Sequence, residues 1–321
     1  MMNYIPLTLG RACATAWPRP EFILGPLQAG DVGMISGADG LGKSWVALAA
    51  GLAVANGRPE ICGGMWDVPQ GVAGRVLMFA VEDREADHGR RLAATAKHCR
   101  LSGEIGRVKD DDDSLTLIPM QGQRLALVQK SGDKYQVTAE GEAWAAQIQG
   151  YRLVVIDPLR AFHNLDESDG AGMDFLVRWL VLIAMKNQQA ILLVHHASQG
   201  AILDRRADHH AGRGATDLPA GCRAVWTLRA GQKEEDGTRW RELINGKASH
   251  GPESNTKHLR PGIGGVLYVS DPPQDDAVGG SKAKAAKPAP KIGSNKYQAA
   301  KNGQRAAAFA GGDAGGDDED Y

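Results

Sequence analysis

The octapeptide Gly37-Ala38-Asp39-Gly40-Leu41-Gly42-Lys43-Ser44 constrains this chain more than any other segment. It reads G-x-x-x-x-G-K-S, a phosphate-binding loop. Asp31 to Ser36 ahead of it is a short apolar run of strand length. Trp45 to Asn56 after it is rich in Ala and Leu and free of Pro, which predicts a helix. A strand, a glycine loop and a helix N-terminus make an anion cradle. Gly37, Gly40 and Gly42 let backbone N–H groups turn inward, and the helix dipole adds partial positive charge. The segment is therefore expected to hold a nucleoside triphosphate. Lys43 would reach the terminal phosphates, and the Ser44 hydroxyl would ligate Mg²⁺.

The bulk numbers bound what surrounds this loop. With 321 residues, 43% of them hydrophobic, the chain can bury one large core or two small ones. A polar C-terminal stretch lowers the mean hydropathy to -0.31. The formal net charge of -1 gives no global nucleic-acid signature, so any basic surface must be local. Cys13, Cys62, Cys99 and Cys222 show no C-x-x-C spacing, which argues against a zinc ribbon or redox motif. Isolated thiols suit a cytoplasmic setting, and each reads as a small buried hydrophobe. No secretory signal and no apolar run of membrane-spanning length is visible, so no membrane role is expected.

Three regions follow from composition. Residues 1–26 read as an N-terminal arm, because Pro18, Pro20 and Pro26 disfavour regular structure. Residues 27–271 carry an α/β pattern. Strands are expected at Arg75 to Val81, Ser114 to Met120, Arg152 to Ile156 and Ala190 to Val194. Helices are expected at Arg84 to Arg100, Ala139 to Gly150 and Met173 to Asn187. Leu125 to Gln129 and Tyr135 to Thr138 flank a hairpin turn, and Ala224 to Arg229 and Trp240 to Asn245 read as late antiparallel strands. The alternation predicts a mainly parallel sheet with helices on both faces. Residues 272–321 read as a disordered tail, basic from Lys282 to Arg305 and acidic at Asp317-Asp318-Glu319-Asp320-Tyr321.

Phosphoryl chemistry needs a metal anchor, a group that activates water and positive charge for the transition state. In open α/β sheets these collect at strand ends. Leu153-Val154-Val155-Ile156-Asp157 is an apolar run closed by a carboxylate, so Asp157 is the expected metal anchor together with Ser44. Glu82 ends another strand. It either takes a proton from the attacking water or starts the next helix, where acidic side chains suit the dipole. His195 and His196 close a third strand, either to sense phosphate or as strand-end histidines satisfied by backbone. Asp208-His209-His210 lacks further ligands at metal spacing and reads as a solvated loop. Arg213, Arg223 and Lys247 are the candidate positive charges; an arginine too remote for its own nucleotide can serve a neighbour's in a ring or filament.

Taken in order, Gly37 to Ser44, Val81-Glu82-Asp83, Leu153 to Arg160 with Phe162-His163, Val194 to Gly200, Arg213-Gly214-Ala215, Arg223 and Lys247 to Gly251 resemble the RepA-type hexameric replicative helicases of plasmids. These are RecA/DnaB-like P-loop ATPases. The resemblance covers about Leu27 to Gly251. It implies a RecA-like core assembled as a hexameric ring, with ATP and Mg²⁺ between protomers. By position it makes Glu82 similar to the catalytic glutamate and Asp157 to the Walker B aspartate. His196 falls on the phosphate-sensing histidine, Arg223 on the arginine finger supplied in trans, and Arg91 on a further active-site arginine. The family more often has Asn-Tyr-Gly after the lysine, where this chain has Ser249-His250-Gly251.

The resemblance also implies single-stranded DNA as partner. The loops Leu159 to Gly172 and Ser198 to Gly214 would face a central channel, and Arg205, Arg206 and Arg213 would track the phosphate backbone. The tail resembles the acidic, aromatic-ended tails of phage helicases and single-strand-binding proteins, which dock on replication partners; a polymerase or primase is the expected one. The expected function is an ATP-driven single-strand DNA translocase, a replicative helicase of plasmid or phage type. The alternatives are a RecA-like recombination or annealing ATPase and an ATP-switched loader or scaffold.

Overall fold

The computed structural model describes residues 6–101, 113–196, 217–250 and 256–271. The chain enters through a short helix, α1 (Leu9–Ala14), capped by the Thr8 hydroxyl, which accepts from the Arg11 N–H. A tight antiparallel pair follows, β1 (Phe22–Leu24) and β2 (Leu27–Gln28). Ile23, Leu24 and Leu27 are essentially fully buried, so the core begins upstream of residue 27. Only a short run separates Pro20 from Pro26, too short to show a period in sequence.

A nine-stranded sheet carries the rest. Its members are β3 (Val32–Gly37), β4 (Val76–Ala80), β5 (Leu115–Pro119), β8 (Leu153–Asp157), β9 (Ala190–His196), β10 (Ala224–Lys233), β11 (Arg239–Ala248), β12 (Lys257–Pro261) and β13 (Leu267–Val269). A separate hairpin, β6 (Val128–Ser131) and β7 (Lys134–Val137), sits where the Gly132 turn predicts it. The spatial order is β13-β12-β11-β10-β3-β9-β8-β4-β5. From β10 to β5 every neighbouring pair is parallel, and β11 to β13 add an antiparallel wing.

Helices cover both faces, because alternate residues of each buried strand point opposite ways. Ile35, Met78, Val155 and Leu192 meet α2 (Lys43–Asn56) on one face. Met34, Leu77, Val154 and Ile191 meet Met173, Leu176 and Leu180 of α5 (Gly170–Asn187) on the other. Two further helices, α3 (Glu85–His98) and α4 (Ala139–Gln147), follow β4 and β7.

Two expectations need correction. The late strands are longer than their apolar runs, ten residues each, and β10 also pairs in parallel with the P-loop strand. β12 and β13 were not legible: only Leu259 and Leu267 among their residues are fully buried, so no alternation betrays them. The tail 272–321 lies outside the described residues.

Candidate functional site

Strand register brings the candidate residues together. Gly37 at the end of β3 pairs with His196 at the end of β9. Ala80, two residues before Glu82, pairs with Asp157 at the end of β8. The carboxyl ends of four parallel strands and the N-terminus of α2 thus meet at one cleft of about 280 Å³, shared by the P-loop, Glu82, Asp83, Arg91, Asp157 and His196.

Gly40 and Gly42 sit at φ 72° and 96°, in the left-handed region that side chains disfavour. This turns the loop around its own centre, directly before α2. The first side chain of the helix, Lys43, is 6% exposed. Its Nζ donates to the carbonyls of Gly37 and Ala38, each at 2.9 Å. Burial pulls its pKa below the ordinary lysine value, opposed by the charges of Asp39, Asp157 and Glu82.

Asp157 is 4% exposed. Burial pushes its carboxyl up to about 6, opposed by a hydrogen bond from the Ser44 hydroxyl. Ser44 and Asp157 both line the cleft and offer two oxygen ligands of the kind Mg²⁺ takes. His196 spans the cleft. Its Nδ1 contacts Asp39 Oδ1 and lies 3.3 Å from Lys43 Nζ, and its Nε2 lies 3.1 Å from Glu82 Oε1. Asp39 is drawn below the usual carboxylate range chiefly by its hydrogen bond to His196. Arg91, from α3, is held by Asp83 at 2.5 Å and stacks over the Trp45 ring at 5.6 Å.

Strand alternation separates the two histidines. His196 faces the cleft, whereas His195 points away from it and burial holds its pKa down at about 4. His163, after β8, is 1% exposed and is likewise pushed to about 4 by burial.

Arg223 is not in this cleft. It precedes Ala224, which pairs with Gly33, so it lies at the opposite end of the sheet from the P-loop of its own chain. Five residues of strand span about 16 Å. Lys247 is nearby but occupied, donating to the carbonyls of Pro219 and Ala220 at 3.1 and 2.8 Å. Arg205, Arg206 and Arg213 lie outside the described residues.

Other residues around the cleft are not singled out individually by the sequence. Arg241 of β11 donates from Nε to the Leu41 carbonyl of the P-loop at 3.2 Å. A Cβ on Gly42 would meet Leu267 of β13 at 2.9 Å, so the antiparallel wing packs under the loop. Arg124 and Arg160 line an extension of the cleft beyond Glu82 and His196. Arg160 follows Asp157 closely in the chain, whereas Arg241, Leu267 and Arg124 reach the site through contacts that spacing does not encode.

This geometry, a P-loop strand with a carboxylate-ended strand one strand away across β9, defines a P-loop nucleotide-binding domain, and residues 6–201 match the family model described as AAA domain. The chain belongs to that family. Among solved structures it is similar to a DnaB-like replicative helicase described with its interactions with primase, at TM-score 0.52 and 14% identity. That match covers 76% of this chain and 58% of the other, so this chain spans a little over half of its relative's length. It is also similar to the ATPase domain of G40P, at TM-score 0.50 and 14% identity, covering 75% of this chain and 85% of that one. The fold is the RecA-like core of such helicase ATPase domains, with a mainly parallel sheet between helices.

Proposed function

We propose that this chain is an ATP-driven single-stranded DNA translocase, a replicative helicase of plasmid or phage type that works as a hexameric ring in the cytoplasm. The observation that carries the reading is the meeting of Lys43, Ser44, Asp157, Glu82 and His196 in one cleft. Its polar groups serve ATP hydrolysis step by step. The loop amides from Gly37 to Ser44 and the Lys43 ammonium hold the phosphates. Ser44 and Asp157 hold Mg²⁺, which when bound neutralises phosphate oxygen charge. Glu82 accepts the proton of the attacking water. His196, between Glu82 and Lys43, reads the presence of the terminal phosphate. Arg91, fixed by Asp83 and Trp45, adds positive charge at the cleft rim.

Arg223 supports the ring. Its remoteness from its own P-loop suits a finger inserted into a neighbour's cleft, where it stabilises transition-state charge. Arg205, Arg206 and Arg213 contact the DNA backbone without reading sequence. The acidic tail engages a polymerase or primase. Residues 27–271 serve as the motor, with Ile23 and Leu24 of the preceding arm packed into its core, and residues 272–321 as the tail.

An unwinding assay on a forked duplex tests the reading. ATP-dependent strand separation, with turnover stimulated by single-stranded DNA, is expected. Stimulated turnover without separation would replace it by a recombination or annealing ATPase. Turnover indifferent to DNA would replace it by a loader or scaffold.

A further inference from the structure

Two cysteines far apart in sequence bring their sulfurs to 3.6 Å. Cys62 lies in the 3-10 turn Ile61–Gly63 after α2, and Cys99 directly follows α3. Cys62 is buried and Cys99 is half-buried. Cys62 adopts φ 51° and ψ 41°, a left-handed conformation that non-glycine residues seldom take. This backbone aims the Cys62 N–H at the Cys99 sulfur, at 3.4 Å. The turn is also clamped: a Cβ on Gly63 would sit 2.7 Å from the Val269 carbonyl of β13. The close approach of Gly63 to β13 thus packs the Cys62 turn against the sheet.

The pair is chemically asymmetric. Hydrogen bonds from the Cys62 thiol and N–H, with the Arg58 charge, draw Cys99 below the ordinary thiol range. The same thiol contact and burial push Cys62 up. Thiolate character marks the reactive partner. Cys13 is exposed, and Cys222 is buried and pushed up to about 12.

We propose that Cys62 and Cys99 form a reversible redox pair in which Cys99 attacks an oxidant of the hydroperoxide class and Cys62 resolves the product. The Cys99 thiolate attacks one peroxide oxygen and the O–O bond breaks. The other oxygen leaves and takes a proton, as water or an alcohol, and Cys99 becomes a sulfenic acid. The Cys62 sulfur then attacks the Cys99 sulfur. The S–O bond breaks, and hydroxide leaves with the Cys62 proton as water. Two thiols are oxidised and one hydroperoxide is reduced. A disulfide needs about 2.05 Å between sulfurs, so closing the gap takes a shift of only about 1.5 Å. The bond would tie the turn after the P-loop helix to the far end of the helix that carries Arg91. The thiol pair uses no nucleotide chemistry.

Hydrogen peroxide titration of the full chain tests it, read by intact mass, free-thiol count and peptide mapping. The expected product has lost two of its four thiols, with the Cys62 and Cys99 peptides joined, and a thiol reductant restores both. Cys62→Ser should stop at a Cys99 sulfenic acid, trapped by a carbon-acid probe. Cys99→Ser should leave Cys62 unoxidised. No linked product, or sulfenic acid on Cys13 but not on Cys99, would overturn the proposal. The serine variants keep size and shape, and thermal melts of each confirm that the fold is retained.

Discussion

His196 Nε2 lies 3.1 Å from Glu82 Oε1, joining the ends of β9 and β4 across the cleft. With Asp39 on its other ring nitrogen, the histidine fills the space between Lys43 and Glu82. On the proposed function, phosphate arriving at Lys43 would repel Asp39 and free one side of His196. On the same proposal, the proton acceptor and the residue that reads phosphate would share this one contact.

Glu82→Gln should separate binding from chemistry. An amide accepts no proton from water, and a lost general base typically costs about 10²–10⁴ in rate. Nucleotide affinity should remain within a few-fold, because Lys43 and the loop amides are untouched. Single-turnover hydrolysis and fluorescent-nucleotide titration check this. A wild-type hydrolysis rate would remove Glu82 from the role of base.

Asp157 predicts a pH dependence with a definite sign. Its carboxyl is held at about 6 by burial, so the folded protein keeps this proton to higher pH than the unfolded chain does. Its contribution thus favours the nucleotide-free fold at low pH and is lost as pH rises from the ordinary carboxylate range through about 6. Asp157→Asn should raise nucleotide-free stability near pH 8, by about 1–3 kcal/mol. Mg²⁺ binding should show the reverse trend, because the metal would need the carboxylate. Mg²⁺-dependent nucleotide affinity should weaken below pH 6 in the parent protein, and Asp157→Asn should abolish that dependence. Melts and calorimetric titrations across pH 5–8 read both.

Arg241 predicts an effect from outside the cleft. Its bond to the Leu41 carbonyl anchors the P-loop to the antiparallel wing. Arg241→Ala should weaken nucleotide binding about 5-fold, on the order of one hydrogen bond. The bound-state hydrolysis rate should stay near normal, since Arg241 touches neither Glu82 nor His196. Arg241→Lys should restore part of the affinity. An equal fall in kcat would show that the arginine acts on the reaction itself.

The parts legible in sequence were those encoded locally. Gly37 to Ser44 specifies a loop by its own spacing, and Leu153 to Asp157 specifies a buried strand with a charged end. The parallel sheet followed from such runs alternating with helices. Residue pattern alone leaves His195 and His196 equivalent; the family resemblance points to His196, and strand register supplies the physical reason, because alternation has meaning only once a face is fixed. Arg241, Leu267 and the Cys62–Cys99 pair depend on contacts between residues far apart in the chain. β12 and β13, on the edge of the sheet, bury too little to leave a period. The short apolar run around Ile23 and Leu24 was masked by prolines on both sides.

Arg223 gives the sharpest test of assembly. It lies at the far end of β10 from its own Gly37, so any catalytic role it has must be exercised on another protomer. Loss of a finger in trans typically costs about 10³–10⁵ in turnover. Arg223→Ala should therefore be nearly inactive alone, and so should Glu82→Gln. Mixed rings behave differently. An Arg223→Ala protomer still carries Glu82, and a Glu82→Gln neighbour still carries Arg223. In a head-to-tail ring up to roughly a quarter of interfaces then unite an intact base with an intact finger. ATP turnover should rise on mixing, peak near equal proportions and vanish at both ends of the series. Subunit exchange, followed by mass spectrometry of the intact assembly, establishes that the rings are mixed. If exchange is complete and turnover stays flat at every ratio, Arg223 does not act across the interface, and the positive charge must come from elsewhere in the cleft, with Arg91 the first residue to substitute.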